Sequence, residues 1–222
     1  MPLLSLRPGD RVLFLGDSIT DAGGISRDWS AEPFDGPGWL SHISRQAANR
    51  PDLQLQLVNR GIGGNRVPDL LARLQADVLD ADPSVVVLYI GINDVWHTTS
   101  GAGTQEDDYT HGLAELVRTL GAAGIRVLLC TPSVIGEKTE GENDLDDLLT
   151  RYTAISRNTA MELGVPLCDL SAAFRAWLSS HNSGNVGSGL LTTDGVHLTD
   201  EGNRLLADTV AEALGLDNGS DV

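Results

Sequence analysis

Ser18, within Gly16-Asp17-Ser18-Ile19-Thr20, and the pair Asp194 and His197, within Asp194-Gly195-Val196-His197, have the types and spacing for nucleophilic acyl chemistry. A serine hydroxyl needs a base to take its proton, and the base needs a partner that fixes its tautomer and stabilises its cation. Asp194 stands three residues before His197, close enough for its carboxylate to reach the imidazole within one local turn. On this reading Ser18 attacks a carbonyl carbon, while His197 removes its proton and later returns one to the leaving group. The oxyanion that forms needs donors set in advance. The candidates are the N–H groups of Ser18 and Gly64 and the side-chain amide of Asn93.

These residues are spread along the chain, so a fold must gather them. The apolar run Val12-Leu13-Phe14-Leu15 ends just before the serine motif and reads as a buried strand over Arg11–Leu15. Further strands are expected at Leu53–Asn59, Ser84–Ile90, Arg126–Thr131 and Val165–Leu170. The strict alternation of Leu53-Gln54-Leu55-Gln56-Leu57 suits an edge strand with one wetter face. Helical spacing appears at Trp39–Ala47, after the breaker Gly36-Pro37-Gly38, and from Pro68, placed at the first helical position, to Val78. It recurs over Leu113–Leu120, closed by Gly121 and Gly124, over Leu145–Ile155, near Ala172–Leu178 and over Asp200–Leu214. The acidic segment Ile135–Asp147 reads as a surface loop. Alternating strands and helices imply a parallel sheet between helix layers, a single domain over residues 1–216, with a frayed tail at 217–222. In such a sheet the loops after successive strands share one rim, where open α/β folds bind ligands.

Composition narrows the partners. Thirty-one acidic against 15 basic side chains give a formal net charge of −16. That balance argues against nucleic acid, which needs clustered Lys and Arg, and offers no attraction to anionic membranes. No bilayer-length apolar stretch is visible and the N-terminus lacks the pattern of a leader, so the chain reads as cytoplasmic. Cys130 and Cys168 lack metal-site spacing and read as buried thiols. Gly61-Ile62-Gly63-Gly64-Asn65-Arg66 has Arg66 where a dinucleotide loop needs its third glycine, so no nucleotide cofactor is expected. Oligomeric state is not readable.

Taken alone, Ser18 is a turn or cap serine, Asp194 a cap, Asn93 a turn residue and Gly64 a bend. Together the four pieces change the reading. Gly-Asp-Ser at 16–18, Asn59 through Gly64, Gly91-Ile92-Asn93-Asp94, and Asp194-Gly195-Val196-His197 resemble, in order, the four blocks of the SGNH hydrolases, the GDSL-type esterases and lipases. Ile19 stands where the family's name has leucine, and Leu198 where proline is common. The resemblance spans roughly Arg11 to Leu214. It implies a flavodoxin-like three-layer α/β/α fold with a five-stranded parallel sheet, no cofactor or metal, and ester or thioester hydrolysis through an acyl-enzyme. It carries the catalytic roles to Ser18, Asp194 and His197, and the oxyanion roles to Ser18, Gly64 and Asn93. Asn-Arg-Gly-Ile-Gly-Gly-Asn with Gly-Ile-Asn-Asp-Val-Trp is similar to bacterial carbohydrate acetylesterases, which implies a short-acyl substrate such as an acetylated oligosaccharide. A lysophospholipase or acyl-CoA thioesterase using the same site is the rival, and a non-catalytic ligand-binding module a more distant one. Asp17, Asp21, Asn65 and Asp94 are expected to support loop amides. Trp29, Phe34, Trp39 and Trp96 are expected in or beside rim loops, with core packing an equal alternative for Trp39.

Overall fold

Val12-Leu13-Phe14-Leu15 has no polar face, so it can be housed only in the middle of a sheet covered on both sides. In the computed structural model, which describes residues 1–22, 28–29 and 36–216, all four side chains are fully buried. The strands in chain order are β1 (Arg11–Gly16), β2 (Asp28–Trp29), β3 (Gln56–Gly61), β4 (Val85–Tyr89), β5 (Arg126–Cys130) and β6 (Leu167–Cys168). The helices are α1 (Ser18–Asp21), α2 (Trp39–Ala48), α3 (Val67–Asp77), α4 (Ile92–Trp96), α5 (Glu106–Ala122), α6 (Asp146–Leu163), α7 (Leu170–His181) and α8 (Asp200–Leu214).

Sheet order is β2-β3-β1-β4-β5-β6, and β1 pairs in parallel with both β3 and β4. The five expected parallel strands are present. A sixth, the two-residue β2, adds antiparallel to β3 and takes the edge that β3 was expected to form. The parallel strands alone follow the flavodoxin-like order, whose direction of winding reverses at β1. The loops after β1 and β4 therefore flank a crevice at the carboxyl ends of neighbouring strands. Helices α2, α7 and α8 pack as one layer and α3, α5 and α6 as the other.

Several boundaries move. Leu53 ends a turn and Gln54 and Leu55 are irregular rather than strand: Gln54 takes a left-handed φ of +47°, and the strand starts only at Gln56. Arg66 caps α3, which leaves Pro68 at the second helical position. Helix α5 begins at Glu106, with Glu106, Asp107 and Asp108 facing its N-terminal dipole, and Gly121 lies inside it. Trp39 is core, its ring edge-on to Phe14 at 5.3 Å. The segment 135–147 is no simple surface loop, because Ile135, Glu137 and Asp146 are buried. Cys130 and Cys168 are free, buried and opposite each other in adjacent strands. Phe34 and the tail at 217–222 lie outside the described residues, as does the side chain of Trp29. Among the described residues no helix is long and apolar enough to cross a membrane.

Two carboxylates are buried at the crevice. Asp17 is 1% exposed and caps α1, its Oδ1 accepting the Ile19 N–H at 3.0 Å. Asp94 accepts the Val67 N–H with both oxygens, at 3.1 and 3.3 Å, and so anchors the start of α3. Burial pushes Asp17 up to about 7, with the Asp94 charge adding to the rise and the Ile19 N–H opposing it. Burial likewise raises Asp94 to about 6. Both folded values lie above those of the unfolded chain, so between about pH 4 and 7 the native state holds protons that the unfolded chain has released. Stability contributed by these groups is therefore full below that window and falls as pH rises through it. Asp17→Asn should remove its share. The melting temperature of the variant relative to wild type should climb between pH 4 and 8, by roughly 5 °C or more; a constant offset across that range would contradict the account.

Candidate active site

The turn after β1 is shaped by close approach. A side chain at Gly61, the register partner of Gly16, would run into the backbone of Thr20 and Asp21, so glycine lets β3 pass beside α1. Asn59 ties the same turn down, its amide donating to the Thr20 carbonyl at 3.0 Å and its oxygen accepting the Gly61 N–H at 2.8 Å. Ser18 opens α1, half-buried, with its Oγ 3.1 Å from His197 Nε2.

His197 sits on a tight hairpin after α7. Asp194 Oδ1 accepts the N–H groups of Val196 and His197 at 3.0 and 2.8 Å, while its Oδ2 lies 2.8 Å from His197 Nδ1. With Nδ1–H donated to Asp194, Nε2 is free to accept the Ser18 hydroxyl. Burial works to raise the Asp194 carboxyl. The hydrogen bonds from His197 and Val196 outweigh it and hold the group below the usual carboxylate range. The pair is open to water, with the His197 and Asp194 side chains 43% and 46% exposed. Trp96 on α4 meets the His197 ring in a T-shaped contact at 5.8 Å.

Next to Ser18 runs the loop after β3, where a Cβ at Gly63 would lie 3.9 Å from Ser18 Cβ. Ile62 N–H donates to the Gly16 carbonyl at 3.2 Å, and Gly64 takes a φ of +78° that other residues rarely adopt. Asn93, 2% exposed, donates its side-chain amide to the Asn65 carbonyl at 3.1 Å, which leaves one amide hydrogen for another acceptor. Among the described residues no acceptor takes the Ser18 or the Gly64 N–H. The fold thus brings Ser18, His197 and Asp194 into one hydrogen-bonded line. Gly64 belongs to the loop after β3 and Asn93 to the first turn of α4, Trp96 lies against the histidine, and Asp17 and Asp94 turn to backbone amides.

Sequence reasoning missed Glu137. Its carboxylate, 1% exposed, accepts the N–H groups of Leu190 and Leu191 at 2.9 and 2.8 Å, the Thr192 N–H, and the Thr192 hydroxyl at 2.6 Å. The neighbouring Gly136 N–H donates to the Gly195 carbonyl, at the tip of the hairpin itself, at 2.8 Å. The only sequence signal is one Glu in an acidic stretch, which composition assigns to solvent.

Known proteins match both the sequence and the fold. Residues 14–205 match the GDSL-like Lipase/Acylhydrolase family. The chain is 31% identical to an acetylxylan esterase of Geobacillus stearothermophilus, over 96% of this chain and 98% of that protein. The structure superposes on an acetyl xylan esterase with a TM-score of 0.83 at 38% identity, covering 91% of this chain and 98% of the other. It superposes on the Geobacillus acetylxylan esterase with a TM-score of 0.85 at 28% identity, covering 96% and 97%. Catalytic mutants of that enzyme have been solved in which a serine, a histidine and an aspartate are each replaced by alanine. Sequence and fold therefore converge, and the chain belongs to the GDSL-like lipase/acylhydrolase family as a carboxylic ester hydrolase.

Proposed function

We propose that the protein is a serine esterase that removes acetyl groups from carbohydrate. The observation that carries the reading is the line Ser18 Oγ, His197 Nε2, His197 Nδ1, Asp194 Oδ2, with steps of 3.1 and 2.8 Å, in a chain whose full-length relative is an acetylxylan esterase. Ser18 Oγ attacks the acetyl carbonyl carbon as its proton passes to His197 Nε2, and Asp194 stabilises the imidazolium. The Ser18 and Gly64 N–H groups and the Asn93 amide receive the oxyanion. Collapse of the tetrahedral intermediate expels the sugar alkoxide, which takes the proton from His197, and leaves acetyl-Ser18. Water then attacks the acyl-enzyme, its proton going to His197, and acetate departs as Ser18 regains its proton. The half-exposed acid–base pair suits a large alcohol such as an oligosaccharide, while buried Asn93 and the Trp96 ring beside His197 suit a small acyl group.

Ser18→Ala should abolish turnover of p-nitrophenyl acetate in a folded protein, and wild-type-like activity would end the proposal. Asn93→Ala should lower kcat by about 10²–10³-fold, the loss typical of one oxyanion donor; an unchanged kcat would remove Asn93 from the mechanism. In a series of p-nitrophenyl esters, kcat/KM should be highest for acetate. A steep rise toward decanoate would instead favour a lysophospholipase or thioesterase, and acetylated xylo-oligosaccharides assayed beside phospholipids and acyl-CoA would identify the alcohol.

A further inference from the structure

Arg73, on α3, has no part in the steps above, yet its side chain lies directly beneath them. Nη2 donates to the carbonyls of Gly16 at 3.0 Å and Arg60 at 2.8 Å, the last turns of β1 and β3. Nε donates to the Asn65 side-chain oxygen at 2.8 Å, and Nη1 pairs with Asp77 at 2.7 Å. The side chain is 14% exposed. An i,i+4 ion pair with Asp77 would by itself be a minor helix contact, worth a few tenths of a kcal/mol. Three of the four contacts, however, leave the helix.

Those three contacts have one thing in common. Gly16 is two residues before Ser18, and its carbonyl also accepts the Ile62 N–H, so one oxygen joins the nucleophile strand, the loop after β3 and Arg73. Asn65 is held from outside its loop by Arg73 at its side chain and by the Asn93 amide at its carbonyl, and within the loop its N–H donates to the Ile62 carbonyl at 3.2 Å. Gly64, with its unaccepted N–H, precedes it directly. The start of the same helix, two residues after Asn65, is set by Asp94 on the Val67 N–H. We propose that Arg73 is a positioning residue of the esterase, whose guanidinium sets the oxyanion loop Ile62–Asn65 against the strand end that carries Ser18. The inference rests on the roles assigned to Ser18, Gly64 and Asn93. A planar fork is needed because the acceptors lie in three directions; a lysine ammonium cannot span them. Without the fork, Asn65 can shift and carry with it both the Gly64 N–H and the Asn93 amide. Misplacement of reacting geometry by about 1 Å can cost on the order of 10²-fold in rate.

The test uses Arg73→Met, Arg73→Lys, Asn65→Ala and the double variant Arg73→Met/Asn65→Ala. Each is assayed with p-nitrophenyl acetate and titrated with phenylboronic acid, which forms a tetrahedral adduct on an active serine. Both Arg73 variants should lose about 10–100-fold in kcat with KM within about threefold, and boronate affinity should weaken in parallel. A loss of packing alone would leave the boronate affinity of the folded fraction unchanged. In the Asn65→Ala background, Arg73→Met should cost less than about threefold more, because the shared contact is already gone. Wild-type kcat in either folded Arg73 variant, or fully multiplicative losses in the cycle, would overturn the proposal. Should Arg73→Met fail to fold, Arg73→Lys, which keeps the stem and the charge, decides the question. Activity surviving in Ser18→Ala is a different result, and would sink the site reading instead.

Discussion

A 3.1 Å contact between Ser18 Oγ and His197 Nε2 joins residues 179 positions apart, and most of the fold either delivers its two ends or holds them still. The serine end is delivered by the sheet. β1 is buried between two parallel neighbours, so the position of Ser18 follows from the pairing of Gly16 with Gly61 and Tyr89. The histidine end has no such strand. Its hairpin follows α7 as irregular chain and is stitched by Asp194 from within and by Glu137 and Gly136 from outside. Burying the Glu137 carboxylate is costly in itself, and among the described residues no cation pairs with it. Charge-assisted hydrogen bonds from three amides and a hydroxyl offset that cost. The chain between α7 and α8 is thereby held rigid, as the proposed base needs in order to meet Ser18.

What could be read before the fold was known follows a physical division. Apolar runs and helical stripes are local and periodic, so β1, β4, β5 and α8 are found at or near their sequence-derived bounds, and the parallel order follows from alternation. The chemical motifs are local too: three stand within a few residues of a strand end, and the fourth, Asp194–His197, lies on the irregular chain between α7 and α8. Alternation misleads at Leu53–Leu57 because periodicity carries no information about the backbone sign of Gln54, and β2 is too short to have a period. Glu137 and Arg73 are illegible for another reason. Their partners lie on other elements, some of them backbone groups, and an acid or a base of the same type on a solvent face leaves the same mark in the sequence.

Around Ser18 the carboxylates divide by environment. Asp194 is half-exposed and its hydrogen bonds favour the charged form, as the proposed mechanism requires of the partner of His197. Asp17 and Asp94 are buried, and burial favours their neutral forms up to about pH 7 and about pH 6 respectively. The difference bears on the oxyanion. Asp17 immediately precedes Ser18, and in the proposed mechanism a full negative charge there would oppose the charge developing on the substrate in a region of low dielectric. Held protonated below about pH 7, Asp17 still accepts the Ile19 N–H and shapes the turn while contributing little repulsion. The same burial that lowers stability as pH rises thus favours a neutral Asp17 below about pH 7 while Asp194 is held charged, which is how two aspartates near one serine can have opposite electrostatic characters.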